Sequence, residues 1–382
     1  MRNVNFKDNE DLIWLDQILN KSEPTDKETN FYLCQPSIKS PEFLLPIDNP
    51  PATASSLYRF SDDKKVSKRI KTFSAYSLAK LRFLKHKPEL ARVGKPVELA
   101  EWDIVDFLEK ELSEPELIAT ITIGPPRRNR KPVLQLLKPD GETVGFAKIG
   151  WSPLTKELTN NEADILEKLH NKLDKNISAP RVLLNKTWNN NSVLVISPVN
   201  SSPISRRGSI VPSKIFKQIS TSLGTQIKPF QEVPIIENKK ISKIINVKKL
   251  VNLFDNTDIL LGTWHGDLTP WNISTTFSTT SIWDWEFAGE NTPVGFDQLH
   301  CEFELMRRNP EHSPTQSLEN TKSRAPELLK TITDNSEAIF YLYVCELIRR
   351  EQLLADQRWN PESMLLLPSL IEFLQKYELK AK

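Results

Sequence analysis

The fold is decided by the stretch Trp264-His265-Gly266-Asp267-Leu268-Thr269-Pro270-Trp271-Asn272, which is followed after a gap of nine residues by Ile282-Trp283-Asp284-Trp285-Glu286. Asp267 and Asn272 stand five positions apart in a segment typical of a loop between apolar segments. Asp284 comes twelve positions after Asn272, at the end of a short aromatic strand. Magnesium prefers hard oxygen ligands, and a carboxylate also accepts protons. The stretch therefore predicts one general base and two metal ligands.

Phosphoryl transfer uses these chemical groups, because a carboxylate must orient the attacking hydroxyl while oxygen ligands hold magnesium on the nucleotide's phosphates. Gly266 permits a tight backbone and Pro270 fixes its own φ, so the loop between base and ligand can be rigid. Asp, Asn and Gly also form ordinary turns and helix caps, which is the alternative interpretation. The order and spacing of the whole set favour a site.

The pattern His-Gly-Asp-x-x-Pro-x-Asn at 265–272, with Asp-x-Glu at 284–286, resembles the aminoglycoside phosphotransferase and choline kinase group. That group has a fold like that of protein kinases, so the resemblance implies an α+β, two-lobed fold with a small antiparallel-sheet N-lobe and a mainly helical C-lobe. It implies that Asp267 is the catalytic base, Asn272 a magnesium ligand, and Asp284 the ligand that bridges metal and phosphates. Glu286 stays open between a metal or substrate contact and a merely solvated or hydrogen-bonded carboxylate. By the same resemblance, Asp297 supports the catalytic loop.

A kinase-like fold also requires a strand lysine for the phosphates and a helix glutamate that holds it. Residues 117–123, 133–137 and 144–149 have the alternating or continuous apolar patterns of strands, and Lys148 lies in the third. The apolar spacing of 161–169 predicts a helix with Glu162 near its start. We expect Lys148 and Glu162 to pair, with Glu157 as the rival carboxylate. The alternative is an ordinary surface lysine and a glutamate favoured by the helix dipole.

The loop expected to cover the phosphates departs from the kinase pattern, because residues 123–132 contain one glycine and two consecutive prolines. Bare backbone amides cannot wrap phosphate there to the usual extent. The basic side chains at 127, 128, 130 and 131 either meet phosphate oxygens instead or form a solvated hairpin tip. Two further strands at 179–184 and 192–199 complete a predicted five-stranded N-lobe. The resemblance places the adenine on the backbone of 196–200.

The chain of 382 residues exceeds the usual size of one hydrophobic core, so we expect more than one lobe. We divide it into an N-terminal extension of unknown role at 1–116, a nucleotide-binding N-lobe at 117–199 and a helical C-lobe at 200–382 with the catalytic loop and acceptor site. The extension has predicted helices at 67–84 and 102–112, and the C-lobe has them at 338–348 and, interrupted by Pro368, at 365–374.

Charge and cysteine content restrict the class of protein. The formal net charge is +2, from 51 basic and 49 acidic residues, and gives no argument for a nucleic-acid or anionic-membrane partner. Cys34, Cys301 and Cys345 have no paired spacing, so neither a disulfide framework nor a zinc site is indicated. The amino terminus lacks the apolar region of a signal peptide, and no segment has the ~18 uninterrupted apolar residues of a membrane span. We expect a cytoplasmic protein.

Other polar residues carry weaker signals. A pair of arginines at 206–207 and a group of lysines at 239–249 suit either a solvated cationic surface or an acidic acceptor. His300 and His312 have no partner at metal-ligand spacing, and we interpret both as ordinary.

The prediction is a phosphotransferase that uses ATP, or another nucleoside triphosphate, with Mg²⁺, and moves the γ-phosphoryl group to a hydroxyl of a small molecule. The alternative is a catalytically weak kinase-like binding module that acts through its N-terminal extension, as the missing glycines suggest. The intact set of Lys148, Asp267, Asn272 and Asp284 argues against that alternative. A protein kinase is disfavoured, because the loop lacks the usual His-Arg-Asp and no Phe-Gly follows Asp284.

Overall fold

The computed structural model describes residues 10–20, 29–37, 40–46, 48–59, 95–100, 102–124, 127–199, 211–276, 278–354 and 366–379. The helices, in chain order, are α1 (Glu10–Leu19), α2 (Pro50–Arg59), α3 (Asp103–Leu112), α4 (Pro153–Leu169), α5 (Ser213–Ser220), α6 (Val247–Leu253), α7 (Phe296–Arg307), α8 (Pro314–Leu329), α9 (Ser336–Leu354) and α10 (Leu367–Lys376). The strands are β1 (Thr29–Ser37), β2 (Ser40–Pro46), β3 (Lys95–Ala100), β4 (Ile118–Thr122), β5 (Val133–Leu137), β6 (Thr143–Gly150), β7 (Ile177–Ser178), β8 (Val182–Trp188), β9 (Asn191–Ile196), β10 (Gln226–Pro229), β11 (Asp258–Trp264), β12 (Ile273–Thr275), β13 (Thr280–Ile282) and β14 (Gly289–Pro293).

The chain divides into two compact units. Unit 1 comprises Met1–Ala163 and Pro180–Pro198, and unit 2 comprises Asp164–Ala179 and Val199–Lys382. An antiparallel sheet dominates unit 1, whereas helices dominate unit 2. The expected α+β fold class is therefore confirmed. None of the described helices combines the length and the apolar character that crossing a bilayer requires.

The sheet of unit 1 has eight strands among the described residues, in the order β3-β1-β2-β4-β5-β6-β9-β8. All five strands expected from the sequence are present, and β1, β2 and β3 of the N-terminal extension widen the sheet. The extension joins it where β2 pairs antiparallel with β4. Lys148 lies on β6 between Val133 of β5 and Leu194 of β9. Because β6 pairs with a strand on each side, the backbone at Lys148 is held in place.

Helix α1 is fastened to unit 1 at both of its ends. At its start, Asp11 Oδ1 accepts a hydrogen bond from Arg130 Nη1 at 2.6 Å, and the guanidinium lies over the ring of Trp14. At its end, the Asn20 side chain accepts from the backbone N–H of Asp103 at the start of α3. The apolar residues of α1 and α3 join the strands in one hydrophobic cluster. The extension is thus part of the core of unit 1.

Helix α4 begins earlier than its sequence suggested, so the expectation that Glu162 lies near the helix start is wrong. The Ser152 hydroxyl accepts from the Thr155 N–H at 3.2 Å, and the Thr155 hydroxyl accepts from the Ser152 N–H at 2.8 Å. Pro153 then occupies the first helical position, which suits a residue without a donor. Glu162 is therefore the tenth residue of the helix, counted from Pro153, and it is wholly buried.

Unit 2 is built on a hydrophobic cluster that includes residues of β11 and of α7 to α10. Two small sheets accompany it, in the orders β10-β11-β14 and β12-β13-β7. Helix α9 is buried on almost every side, as its all-round apolar sequence indicated. Pro368 lies in the first turn of α10, so it begins that helix and does not interrupt it. The predicted helix at 67–84 lies outside the described residues.

We predict that Asp11→Ala destabilises unit 1, because Arg130 is 1% exposed and loses the carboxylate that neutralises it. The expected loss is about 3 kcal/mol in the free energy of unfolding, measured by urea denaturation of the full chain. Glu142→Ala is the control, since it removes the carboxylate of the exposed ion pair with Lys138 and should leave stability unchanged. Equal stability of both variants would contradict a structural role for the extension.

Candidate active site

The loop that follows β11 is held in a tight conformation at Gly266. Its φ is +88°, and a Cβ atom there would lie 2.3 Å from the backbone oxygen of Phe287, so only glycine fits. The guanidinium of Arg350 on α9 lies over the rings of Trp264 and Phe287, at 4.5 and 4.7 Å. This packing fixes the catalytic loop against the segment that follows Asp284.

Asp267 and Asn272 are joined directly. The amide Nδ2 of Asn272 donates to the backbone oxygen of Asp267 and to its Oδ2, both at 2.9 Å. The 3₁₀ turn Pro270–Asn272 produces this contact by folding the chain back on itself. Because the amide nitrogen faces Asp267, Oδ1 is the atom of Asn272 that is oriented to bind a cation. The carboxylate of Asp267 is 29% exposed and so remains reachable.

A short hairpin explains the spacing of twelve residues between Asn272 and Asp284. Strands β12 and β13 pair so that Ile273 faces Ile282, and the Asn272 oxygen accepts from the Trp283 N–H at 3.2 Å. Asp284 follows at once, with a φ of 71° in the left-handed region. A non-glycine residue in that region is strained, and such strain is concentrated at functional sites. The backbone thus brings the two predicted metal ligands together.

His265 is buried and neutral. Its Nδ1 accepts from the backbone N–H of Asp267 at 3.1 Å, so Nε2 carries the hydrogen and donates to the Trp283 oxygen at 3.1 Å. Burial lowers the pKa of this histidine to about 4. A histidine fixed in this way joins the loop to the backbone immediately before Asp284.

Asp297 on α7 holds the backbone of the loop. Its Oδ2 accepts from the N–H of His265 at 2.8 Å, and its Oδ1 accepts from the N–H of Gly266 at 3.0 Å. Burial raises the pKa of this carboxyl group to about 6, although both backbone hydrogen bonds act in the opposite direction. The support expected of Asp297 is therefore present in the structure.

Lys148 and Glu162 form a buried ion pair in unit 1. The Nζ of Lys148 lies 2.6 Å from both carboxylate oxygens of Glu162, and both side chains are buried. Glu157, the rival, is exposed on the same helix. A buried pair of this kind holds the ammonium group in one position. The binding of phosphate by Lys148 remains a prediction.

The structure restricts two alternatives that the sequence left open. Arg130 is committed to Asp11 and is almost fully buried, so it does not belong to a solvated basic hairpin tip. The side chains of Arg128 and Lys131 are also buried. Glu286 is 3% exposed, which excludes a solvated carboxylate at that position. Arg206 and Arg207 lie outside the described residues.

The sequence interpretation missed His300. It lies on α7, three residues after Asp297, and its Nε2 is 3.4 Å from Asp267 Oδ1. Its Nδ1 is 2.9 Å from the hydroxyl of Tyr343 on α9. The sequence signal for His300 was its helical spacing from Asp297, because residues three apart lie on the same face of a helix and Asp297 was already expected to face the loop.

Among the described residues, no group of three His, Cys, Asp or Glu side chains is arranged to hold a metal ion. The donor set at this site is different, since it consists of one amide oxygen and one carboxylate. Magnesium is commonly bound by one or two carboxylates together with phosphate oxygens and water. The amide oxygen of Asn272 and the carboxylate of Asp284 are hard oxygen donors of the kind that suits a magnesium ion.

The structure is similar to those of several small-molecule kinases. A thermostable mutant of aminoglycoside phosphotransferase APH(4)-Ia, in a ternary complex with ADP and hygromycin B, aligns over 70% of this chain and 97% of that chain, at 9% identity and a TM-score of 0.41. Amicoumacin kinase hAmiN in complex with AMP-PNP, Ca²⁺ and Ami aligns over 72% and 94%, at 10% identity and a TM-score of 0.42. Glucosamine kinase with glucosamine, ADP and inorganic phosphate aligns over 75% and 85%, at 13% identity and a TM-score of 0.34.

No family model matches the chain, and no curated protein matches its sequence. At such TM-scores and identities, the function of this chain must be argued from its own residues.

We predict a pH dependence from Asp297, whose pKa of about 6 in the folded state lies above the ordinary 3.8. The folded state therefore binds more protons than the unfolded state between these values, and the stability contributed by this group falls as the pH rises. Asp297→Asn removes the titration. The stability of the wild type minus that of the variant should fall by about 1 kcal/mol between about pH 5 and pH 8, measured by urea denaturation. A rising difference would show that the pKa is depressed instead.

Proposed function

We propose that this chain is a phosphotransferase that moves the γ-phosphoryl group of ATP to a hydroxyl group of a small molecule. The observation that carries the proposal is the joined set of Asp267, Asn272 and Asp284. It combines an accessible carboxylate, an oriented amide oxygen and a strained acidic residue within one loop and hairpin. Phosphoryl transfer depends on positioning and charge neutralisation, and a rigid set of this composition provides both.

Asp267 is the proposed general base. Its Oδ2 is held by the Asn272 amide, but each carboxylate oxygen has a second lone pair for the acceptor hydroxyl. Accepting that hydrogen orients the oxygen toward phosphorus and removes the proton as the new P–O bond forms and the bond to the ADP oxygen breaks. His265, held neutral by its two hydrogen bonds, keeps the loop in place.

Asn272 Oδ1 and the carboxylate of Asp284 are the proposed ligands of Mg²⁺, which when bound neutralises charge on the phosphate oxygens. Lys148 is the proposed ligand of nonbridging phosphate oxygens, held for that purpose by Glu162. ATP is the proposed nucleotide, and other nucleoside triphosphates should be tested beside it as phosphoryl donors. A cytoplasmic location belongs to the same proposal, because a cytoplasmic enzyme has ATP available.

We predict that Asp267→Ala abolishes transfer while nucleotide binding is retained, because the base is lost and the metal ligands remain. Asp284→Ala should also weaken the binding of magnesium nucleotide. Calorimetric titration with Mg²⁺ and a nonhydrolysable ATP analogue measures binding, and phosphate transfer is followed with radiolabelled ATP. Asp255→Ala is the control, since Asp255 is an exposed acid of the same unit. Equal affinities for magnesium nucleotide in the Asp267 and Asp284 variants would count against the two separate roles.

A second prediction concerns the buried ion pair. Glu162→Gln removes the charge that holds Lys148 and should raise the KM for ATP about tenfold, with a smaller change in the KM for the acceptor. Glu157→Gln is matched to it, since it makes the same chemical change on an exposed position of the same helix. Identical KM values for ATP in both variants would show that Lys148 does not bind the nucleotide.

The acceptor is found by screening the purified full chain with magnesium ATP against pools of hydroxylated metabolites, with Asp267→Asn as the inactive control. The proposed function predicts at least one acceptor whose phosphorylation requires Asp267. Nucleotide binding without transfer to any acceptor would favour a binding module that has lost turnover.

A further inference from the structure

His300 occupies a buried position between the general base and the core of unit 2. It is 5% exposed, and its two ring nitrogens face different partners. Nε2 lies 3.4 Å from Asp267 Oδ1, and Nδ1 lies 2.9 Å from the hydroxyl of Tyr343. Tyr343 is completely buried in the hydrophobic cluster of this unit. A row of three groups therefore leads from the core to the carboxylate of Asp267.

The contacts among Tyr343, His300 and Asp267 indicate which group donates and which accepts in each of them. A bare ring nitrogen facing a carboxylate oxygen would place two lone pairs against each other, so Nε2 must carry hydrogen. In the tautomer with hydrogen on Nε2 alone, Nδ1 accepts a hydrogen bond, and the Tyr343 hydroxyl, 2.9 Å away, is then its donor. Burial raises the pKa of that hydroxyl well above its ordinary value, which keeps the hydrogen on the oxygen. Each group thus donates toward Asp267.

The row completes the support of the base. Asn272 holds Oδ2 at 2.9 Å, and the Nε2–H of His300 faces Oδ1 from the other side. A distance of 3.4 Å is longer than a formed hydrogen bond, and contacts of catalytic groups often shorten when substrates bind. Both oxygens of the carboxylate are then restrained, which sets its rotation about the Cβ–Cγ bond.

We propose that His300, oriented by Tyr343, is a positioning residue that sets the orientation of the Asp267 carboxylate for proton acceptance. The proposal rests on the proposed function, since it concerns the same base. His300 acts through Asp267 and has no contact with the acceptor in this proposal.

The arrangement of α7 supports the role. Asp297 and His300 are three residues apart on this helix, and both face the catalytic loop. Asp297 holds the backbone of the loop at His265 and Gly266, whereas His300 faces the side chain of its base. One rigid helix therefore restrains both the loop and the functional group that it carries.

The first experiment is independent of turnover. The chain contains five histidines, so ring-nitrogen NMR of the full-length protein with ¹⁵N-labelled histidine is resolvable, and loss of one signal set in His300→Gln assigns this residue. The proposal predicts hydrogen on Nε2 and a bare Nδ1. Asp267→Asn should shift the Nε2 signal of His300 and leave that of His312 unchanged. A ring with hydrogen on Nδ1, or an Nε2 signal insensitive to Asp267→Asn, would overturn the proposal.

The second experiment measures kinetics with the acceptor found by screening. His300→Leu should lower kcat about 10- to 100-fold with little change in the KM for ATP, because the contact of Nε2–H with the charged base is lost. His300→Gln should recover much of this loss, because its amide nitrogen reaches the position of Nε2. Equal kcat values for the two variants would indicate a packing role only and would overturn the proposal.

Tyr343→Phe provides the matched test of orientation. It should lower kcat in the wild-type background but add nothing to His300→Leu, because the hydroxyl acts only through the histidine. Tyr341→Phe is the control on the same helix, since its hydroxyl accepts from Lys322 and does not contact His300. Additive losses from Tyr343→Phe and His300→Leu would overturn the coupling. If the wild type transferred no phosphate, the NMR result would still decide the inference, and only the proposed function would fail.

Discussion

The arrangement of unit 2 depends on the buried carboxylate of Asp297, which accepts hydrogen bonds from two successive backbone N–H groups of the catalytic loop. Those groups belong to His265 and to Gly266, where no side chain fits because the Phe287 backbone is too close. The loop is therefore fixed ahead of Asp267, the proposed base. Asn272 and the hairpin connect this fixed loop to Asp284. A site fixed in this way would need little rearrangement when charge moves during the proposed phosphoryl transfer.

Much of this arrangement follows from local sequence. The His-Gly-Asp segment, Pro270 and Asn272 determine a tight loop, and the pairing of β12 with β13, in which Ile273 faces Ile282, forms the hairpin that spaces Asp284. The Lys148–Glu162 pair was predicted from the kinase-like resemblance together with the order of strand and helix, and the two side chains do meet. Strand patterns also predicted β4, β5, β6, β8 and β9 of the sheet. These features are readable because each depends on neighbours close in sequence or on strict periodicity.

Other features depend on contacts distant in sequence. The extension joins the sheet through the pairing of β2 with β4. Arg130, a candidate for phosphate binding in the sequence, instead pairs with Asp11, which lies more than a hundred residues earlier in the chain. The start of α4 was misplaced, because the apolar spacing of 161–169 does not reveal the reciprocal bonds of Ser152 and Thr155 that begin the helix. His300 was interpreted as ordinary: its helical spacing from Asp297 was a local signal, but its partner Tyr343 lies on another helix. No local pattern encodes that pairing.

We propose that Asn272 and Asp284 supply oxygen ligands to a nucleotide-bound metal while Asp267 stays outside the metal shell as the base. A crystal structure of the full chain with Mg²⁺ and a nonhydrolysable ATP analogue would decide between these roles. We expect Oδ1 of Asn272 and a carboxylate oxygen of Asp284 to lie at about 2.1 Å from the metal. A metal ion bound without either residue, or one coordinated by Asp267 in their place, would refute these assignments.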